Sequence, residues 1–291
     1  MITTTSRTVL VAGSTGSQGG SVARALLQRG HTVRALTRRV DSDAARALED
    51  LGATIVAGEF DDPDSLKAAA TGADAVFVMG TPFGTDPETE TRQSIAVINA
   101  AQEAAVDHIV YSSVADALNN TGIPHFDSKA EVESFLETVA TPHTVIAPAA
   151  YLPELTSPDT IAALRQGAYP SFLPGQVTLK HLHLKDLGAF AALVFEQPQR
   201  FAGQRIDLAS LEITSDEVAE RLSETIGRVI EPQQVPLDVI RQIGGEDFVR
   251  MVQWFEAGGY TVDIDRLHHD HPEIDWTGPE TWIAEQDWSA L

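Results

Sequence analysis

The sequence predicts an α/β fold: a doubly wound parallel sheet with a smaller, mostly helical C-terminal lobe. Three observations carry that prediction. Short apolar runs of β type alternate regularly with helical patterns through the first half of the chain. Those runs are apolar at nearly every position, as strands covered by helices on both faces are. The first run, Val9-Leu10-Val11-Ala12, empties into a glycine turn, Gly13-Ser14-Thr15-Gly16-Ser17-Gln18-Gly19-Gly20. That turn opens directly into a helix pattern, Ser21-Val22-Ala23-Arg24-Ala25-Leu26-Leu27.

The elements follow in order. Residues 8–12 form the first strand and 17–29 a helix; 32–37 form the second strand and 42–51 a helix. Residues 54–57 form the third strand. Asp62 then stands where a helix cap belongs, Pro63 fits the first helical position, and Asp64 suits the positive end of the helix dipole. Residues 73–79 make the fourth strand, 87–105 a long helix, 108–113 the fifth strand, 127–139 a helix and 144–147 the sixth strand. After Ala147 the rhythm breaks. Pro148, Pro153, Pro158, Pro170 and Pro174 mix with Tyr151, Tyr169 and Phe172. Such a stretch predicts loops and short helices over the C-terminal edge of the sheet, where ligands bind in these folds. Residues 206–208 read as a returning strand, and the last third as helical and acidic. The expected division is a nucleotide-binding domain over 1–150 and a substrate lobe over 151–291, with residues near 203–209 rejoining the sheet.

The glycine turn is where chemistry enters. A strand that passes through a tight glycine turn into a helix presents unpaired N–H groups and the positive end of the helix dipole to an anion. With a second strand about 20 residues on, this is the Rossmann-type arrangement that holds a dinucleotide pyrophosphate. The second strand ends in Arg38-Arg39. An acid at that place would bond the 2′-hydroxyl of NAD, whereas an arginine accommodates the 2′-phosphate of NADP through its planar fork of donors. No acid stands there; Asp41 comes three residues after Arg38. The expected cofactor is NADP(H) in preference to NAD(H). The plainer reading makes both arginines solvated surface charges.

Composition bounds the rest. The chain has 291 residues, 43% of them hydrophobic, enough for a sizeable core. It has no cysteine, which removes disulfides, thiolate catalysis and cysteine metal sites and suits a cytoplasmic protein. No run of 18 apolar residues and no basic-then-apolar leader pattern is visible. Net charge is −22, yet residues 1–58 carry seven arginines against Asp41, Asp43, Glu49 and Asp50. A locally basic nucleotide half inside an acidic chain suits an anionic cofactor. The acidic remainder argues against nucleic acid or a membrane surface as partner.

Together these residues resemble the NmrA-like family, a branch of atypical short-chain dehydrogenase/reductases. The resemblance rests on Gly13 to Gly20, Thr37-Arg38, Gly58-Glu59-Phe60-Asp61-Asp62-Pro63, Val76-Phe77-Val78, His125-Phe126-Asp127-Ser128-Lys129-Ala130-Glu131-Val132-Glu133 and Pro148-Ala149-Ala150-Tyr151. It extends to Gly259-Tyr260 and a tryptophan-bearing tail. It implies that Gly13, Thr15, Gly16, Ser17, Gln18 and Gly19 hold the pyrophosphate, and that Arg38, with Arg39 as the alternative, meets the 2′-phosphate. Glu59 and Phe60 would flank adenine, although Glu59 replaces the family's usual aspartate. Gly80, Thr81, Pro82 and Phe83 would line the middle of the cofactor, with Ser112 and Ser113 near the nicotinamide. Lys129 would bond its ribose, and Pro148, Ala149 and Tyr151 would stand beside the nicotinamide and substrate. The family divides between NADPH-dependent reductases of quinones, dyes and related acceptors, and redox sensors that act on protein partners. The resemblance therefore leaves two functions open: an oxidoreductase acting on a conjugated small molecule, or a sensor with a protein partner. Either would be a monomer or a homodimer.

The candidate catalytic residues are Lys129, His125 and Tyr151. Better-known short-chain dehydrogenases place tyrosine four residues before the lysine, on one helix face. Here His125 holds that position. Imidazole can donate a proton near neutral pH, but a loop histidine ahead of the helix is the plainer reading. Tyr151 would donate to a substrate oxygen or simply pack. Trp254 and Phe255 would wall a pocket or form core. His181 and His183 alternate with leucines as one face of a strand. His268-His269-Asp270-His271 lacks the spacing of a metal site, and Ser112 lacks the Gly-x-Ser-x-Gly elbow of a hydrolase.

Overall fold

The computed structural model describes residues 6–80 and 86–291, which form two compact units. In chain order the first elements are β1 (Thr8–Val11), α1 (Ser17–Gln28), β2 (Thr32–Thr37), α2 (Asp43–Asp50), β3 (Thr54–Ala57), α3 (Pro63–Ala70), β4 (Ala75–Met79), α4 (Pro87–Glu103), β5 (His108–Ser112), α5 (Pro124–Leu136) and β6 (His143–Pro148). Then come β7 (Ala150–Tyr151), α6 (Pro158–Leu164), β8 (Ala168–Ser171), β9 (Thr178–Leu182), α7 (Leu184–Glu196), α8 (Pro198–Phe201) and β10 (Arg205–Leu208). The chain ends with β11 (Leu211–Thr214), α9 (Ser215–Ile226), β12 (Glu231–Gln234), α10 (Leu237–Glu256), α11 (Ile264–Asp270) and α12 (Pro279–Ala284).

The first unit takes Met1–Asn120, Pro124–Pro148 and Leu184–Asp207. Among the described residues its sheet has seven strands in the order β10-β6-β5-β4-β1-β2-β3. β1 pairs in parallel with both β2 and β4, so the winding reverses between β1 and β4. Ligands of doubly wound sheets sit at such a reversal, beyond the carboxyl ends of the strands. The strand sequences explain the burial: Val9, Leu10, Val11, Ala75, Val76, Phe77 and Val78 are all almost fully buried. Helices α3, α4 and α5 cover one face and share a core with Leu10, Val76, Val78, Ile109 and Tyr111. Helices α1 and α7 pack on each other.

The predicted cap is realised, and the structure adds a second. The Asp62 side chain accepts from Ser65 N at 3.3 Å with Pro63 at the first position of α3, and Ser42 caps α2 through Ala45 N at 3.2 Å. One boundary needs correction. α5 begins at Pro124 rather than at 127, because a proline costs nothing at a first helical position, where its N–H would be unpaired anyway. His125 therefore lies inside the first turn of α5 and is buried, not in a loop before it.

The first unit also takes more of the C-terminal half than residues 203–209. The whole of Leu184–Asp207 belongs to it, and the cause is α7. Gly188 lets α7 approach α1 closely: a Cβ there would stand 2.6 Å from the carbonyl oxygen and Oγ of Ser21. Ser21 Oγ in turn donates to Leu184 O. Gly188→Ala should therefore lower stability by about 1–3 kcal/mol through overpacking, read as a shift in the urea midpoint without a change in slope.

The second unit comprises Thr121–Ile123, Ala149–His183 and Leu208–Leu291. Helices dominate it, but it also holds two small sheets, β11-β9-β7 and β12-β8. Its core gathers Leu155, Leu164, Tyr169, Leu211, Ile213, Leu222, Trp282 and Ile283. Thr214 and Glu217 form a reciprocal capping box that starts α9, and Gly227, at φ +76°, ends it. Among the described residues no helix is long and apolar enough to cross a membrane.

Candidate functional site

The site is built at the carboxyl end of β1. Gly13 turns the chain with φ +62°, a conformation few side chains tolerate, and Gly16 N donates back to Gly13 O at 2.9 Å. Gly19 is tighter still. A Cβ on it would lie 2.5 Å from the carbonyl oxygens of both Ala12 and Gly13, so α1 presses directly on the end of β1. The turn is fixed to β2 as well: buried Ser14 Oγ donates to Leu36 O at 2.9 Å, and Thr15 Oγ1 lies 3.5 Å from Thr37 Oγ1. Among the described residues no side chain caps α1, and no acid stands in its first turn. Gly16 and Ser17 are exposed. An uncapped, acid-free helix start behind a rigid glycine turn leaves its N–H groups and positive dipole end open to a phosphate.

Around this cradle the predicted residues fall as follows. Arg38 and Arg39 are exposed just past β2. Hydrogen bonds from Arg92 and Gln93 hold the Asp61 carboxyl below the usual carboxylate range, and Arg38 adds a smaller pull. The Arg38 charge thus stands within electrostatic range of the loop after β3. In that loop Glu59 is exposed, with Ser65 Oγ accepting from its N–H at 3.1 Å, and Phe60 packs partly against the core. Gly80 follows β4, and a Cβ there would meet Glu90 Cγ at 2.6 Å and Ser94 Oγ at 2.8 Å. Thr81, Pro82 and Phe83 lie outside the described residues. Ser112 Oγ donates to Gln18 Oε1 at 2.9 Å, linking the end of β5 to the first turn of α1. Ser113 Oγ instead donates to Glu133 on α5.

Lys129 is buried on α5, and its ammonium bonds to the carboxylate of Glu90 on α4. Ser128 Oγ donates to the other Glu90 oxygen at 2.7 Å and lies 3.1 Å from His125 O. His125 is buried one turn before Lys129, edge-on to Phe126. Neither Glu90 nor Arg205 figures in the sequence prediction. Arg205 on β10 bonds Glu133 at 2.8 Å and Val114 O at 3.0 Å, holding together α5 and the chain beyond β5. A signal for Glu90 was available: Glu90, Ser94, Val97, Ile98 and Ala101 form the buried stripe of α4 at helical spacing, so the acid lies on the apolar face.

The remaining candidates take these places. Pro148 closes β6, where its carbonyl accepts from Ala115 N at 2.9 Å. Ala149 and Tyr151 belong to the second unit. Ala149 N donates to Leu208 O at 2.8 Å, and half-buried Tyr151 pairs with Leu182 along β9. Trp254, Phe255 and Tyr260 pack mutually with ring centroids 5.2–5.6 Å apart. His181 lies in β9, where burial pushes its imidazole down to about 4. His268 stacks on Trp276 and bonds Ala209 O.

A family model described as the NmrA-like family matches residues 5–283. An NmrA-like family domain-containing oxidoreductase of Aspergillus versicolor is 34% identical over 217 residues, covering 71% of this chain and 54% of its own. The chain spans about half the length of the first curated relatives it matches. Among solved structures, the Citrobacter sp. triphenylmethane reductase complexed with NADP(H) has a TM-score of 0.81 at 23% identity, covering 97% of this chain and 100% of the other. An NADPH-dependent quinone oxidoreductase from Escherichia coli, complexed with NADPH, has a TM-score of 0.77 at 20% identity, covering 95% and 98%. At those identities the structural likeness is one of fold. The match along residues 5–283 is of another kind, and by it the chain belongs to the NmrA-like family.

Proposed function

We propose that this protein is an NAD(P)H-dependent oxidoreductase that prefers NADPH and reduces a quinone, enone or similar conjugated small molecule. The observation that carries the reading is the uncapped, acid-free start of α1 behind the Gly13–Gly19 turn, with Arg38 at the end of β2. Gly13, Thr15, Gly16, Ser17, Gln18 and Gly19 would hold the pyrophosphate. Arg38 would hold the 2′-phosphate, with Arg39 beside it. Glu59 and Phe60 would flank the adenine. Gly80, Thr81, Pro82 and Phe83 would line the middle of the cofactor, with Ser112 and Ser113 toward the nicotinamide and Lys129 on its ribose. Pro148, Ala149 and Tyr151 would stand on the substrate side.

When bound, the nicotinamide supplies the hydride. The chain supplies orientation. Gln18 and Ser112 brace the first turn of α1 against the end of β5, and Lys129 is held at a fixed place on α5. His125 replaces the tyrosine of better-known short-chain dehydrogenases four residues before Lys129, and His125 or Tyr151 would be the proton donor. A quinone or enone suits this site because it is reactive without a strong acid donor. Names among relatives and structural neighbours, an oxidoreductase, a triphenylmethane reductase and a quinone oxidoreductase, support the same reaction class.

NADPH consumption against a panel of quinones, enones, imines and aldehydes tests the reading. Turnover above the protein-free rate sustains it. Silence across the panel from protein that binds NADPH overturns it in favour of a sensor. Arg38→Ala tests the cofactor preference: it should weaken NADPH by about 1.5–3 kcal/mol, the loss of a charged hydrogen bond, and NADH far less. Equal loss for both dinucleotides would remove Arg38 from the 2′-phosphate.

A further inference from the structure

Glu90 has no place in the sequence reading, yet it is one of the most deeply buried acids in the chain, at 1% exposure. It sits in the first turn of α4, beneath the end of β4. Its Cγ and one carboxylate oxygen fill the space that a Cβ on Gly80 would need, at 2.6 and 2.7 Å. One carboxylate oxygen takes the Lys129 ammonium and the other takes the Ser128 hydroxyl at 2.7 Å. Thr91, the next residue of α4, donates its hydroxyl to Ser128 O at 3.3 Å. The amine of Lys129 thus has one place to be, set by α4 and not by its own helix.

We propose that Glu90 is the positioning residue for Lys129, fixing the amine at the carboxyl edge of β4 and β5 where it meets the ribose of a bound nicotinamide dinucleotide. This rests on the function proposed above for the same site. The alternative is that the pair merely fastens α4 to α5. A buried ion pair is a poor fastener, since apolar residues of the same size commonly do as well or better. The surroundings point the same way. The hydroxyls of Ser94, one turn along α4, and of Tyr111 on β5 are buried without hydrogen-bond partners among the described residues. Burial, with Glu90 and Glu133 nearby, pushes the Tyr111 phenol well up, so it keeps its proton. A contact selected for stability alone would not leave two polar groups unpaired beside it.

The test is a double-mutant cycle on NADPH affinity, read by fluorescence titration of the purified full chain, with thermal unfolding recorded for every variant. Glu90→Gln keeps the shape and an acceptor for Ser128 but cannot balance the ammonium. It should weaken NADPH about tenfold with Lys129 present, the size of one charged hydrogen bond. In a Lys129→Met background the same substitution should change affinity less than twofold, because Glu90 acts only through the amine. Equal losses in both backgrounds, or wild-type affinity in Glu90→Gln, overturn the proposal and leave a helix fastener. Should Glu90→Gln fail to fold, Glu90→Asp replaces it: its carboxylate is one methylene short, and it should show the same loss only when Lys129 is present. Wild-type protein that binds NADPH but reduces nothing refutes the oxidoreductase reading and leaves this cycle fully readable. Wild-type protein that binds no dinucleotide refutes both.

Discussion

Lys129→Met should lower the unfolding free energy by about 3–5 kcal/mol, the characteristic cost of leaving a buried charge without its partner. The reason lies in the geometry of the pair. Lys129 is 7% exposed and Glu90 1%, so water cannot take over from the lost ammonium. Ser128 satisfies one Glu90 oxygen and leaves the other facing the gap. Adding Glu90→Gln should recover most of the loss, because exchanging both members of a buried ion pair for neutral groups is often close to neutral. Urea unfolding of the two single variants and the double variant checks this. A cost under about 1 kcal/mol for Lys129→Met would show that solvent reaches the pair. Equal stability of Lys129→Met and the double variant would show that Glu90 was never strained by losing its partner.

Acidification should cost about 3 kcal/mol of stability through His108 alone. This histidine opens β5, is 1% exposed, and lies 2.9 Å from Thr144 Oγ1 through Nε2. Burial pushes its imidazole from 6.5 down to about 4, with smaller contributions from Arg7 and His143. The folded value lies below the unfolded one, so the unfolded chain binds the proton first and stability rises with pH in this window. The full contribution is present above about 6.5 and is lost as pH falls toward 4; a shift of that size is worth about 3 kcal/mol. His108→Asn should be less stable than the parent at neutral pH but lose less between pH 7 and 4.5. Parallel stability curves for the two proteins across that range would show that His108 does not titrate as buried.

Much of the first unit was legible in the sequence, and the reason is local. The six predicted strands and the helices between them exist within a few residues of their expected ends, because an all-apolar run and a capped 3.6-residue pattern each specify their own structure. The strand 206–208 is β10, next to β6. The glycine turn was equally legible, since Gly13 and Gly19 are required by backbone conformation and by carbonyl contact within ten residues. The start of α5 was missed by three residues, because a proline such as Pro124 suits a turn before a helix as well as the helix's first position.

By itself, then, the sequence determined the elements, their alternation, the glycine turn into α1 and the Arg38-Arg39 pair beyond β2. These depend on neighbours along the chain. What only the tertiary structure decided is which distant side chains meet. Glu90 reaches Lys129 across 39 positions, Gln18 reaches Ser112 across 94, and Arg205 reaches Glu133 across 72. Helix α7 joins the first unit because Gly188 can press against Ser21. Each of these pairings is a choice made by packing: the residue types are common, their separation in sequence carries no period, and only burial together makes one partner necessary to the other.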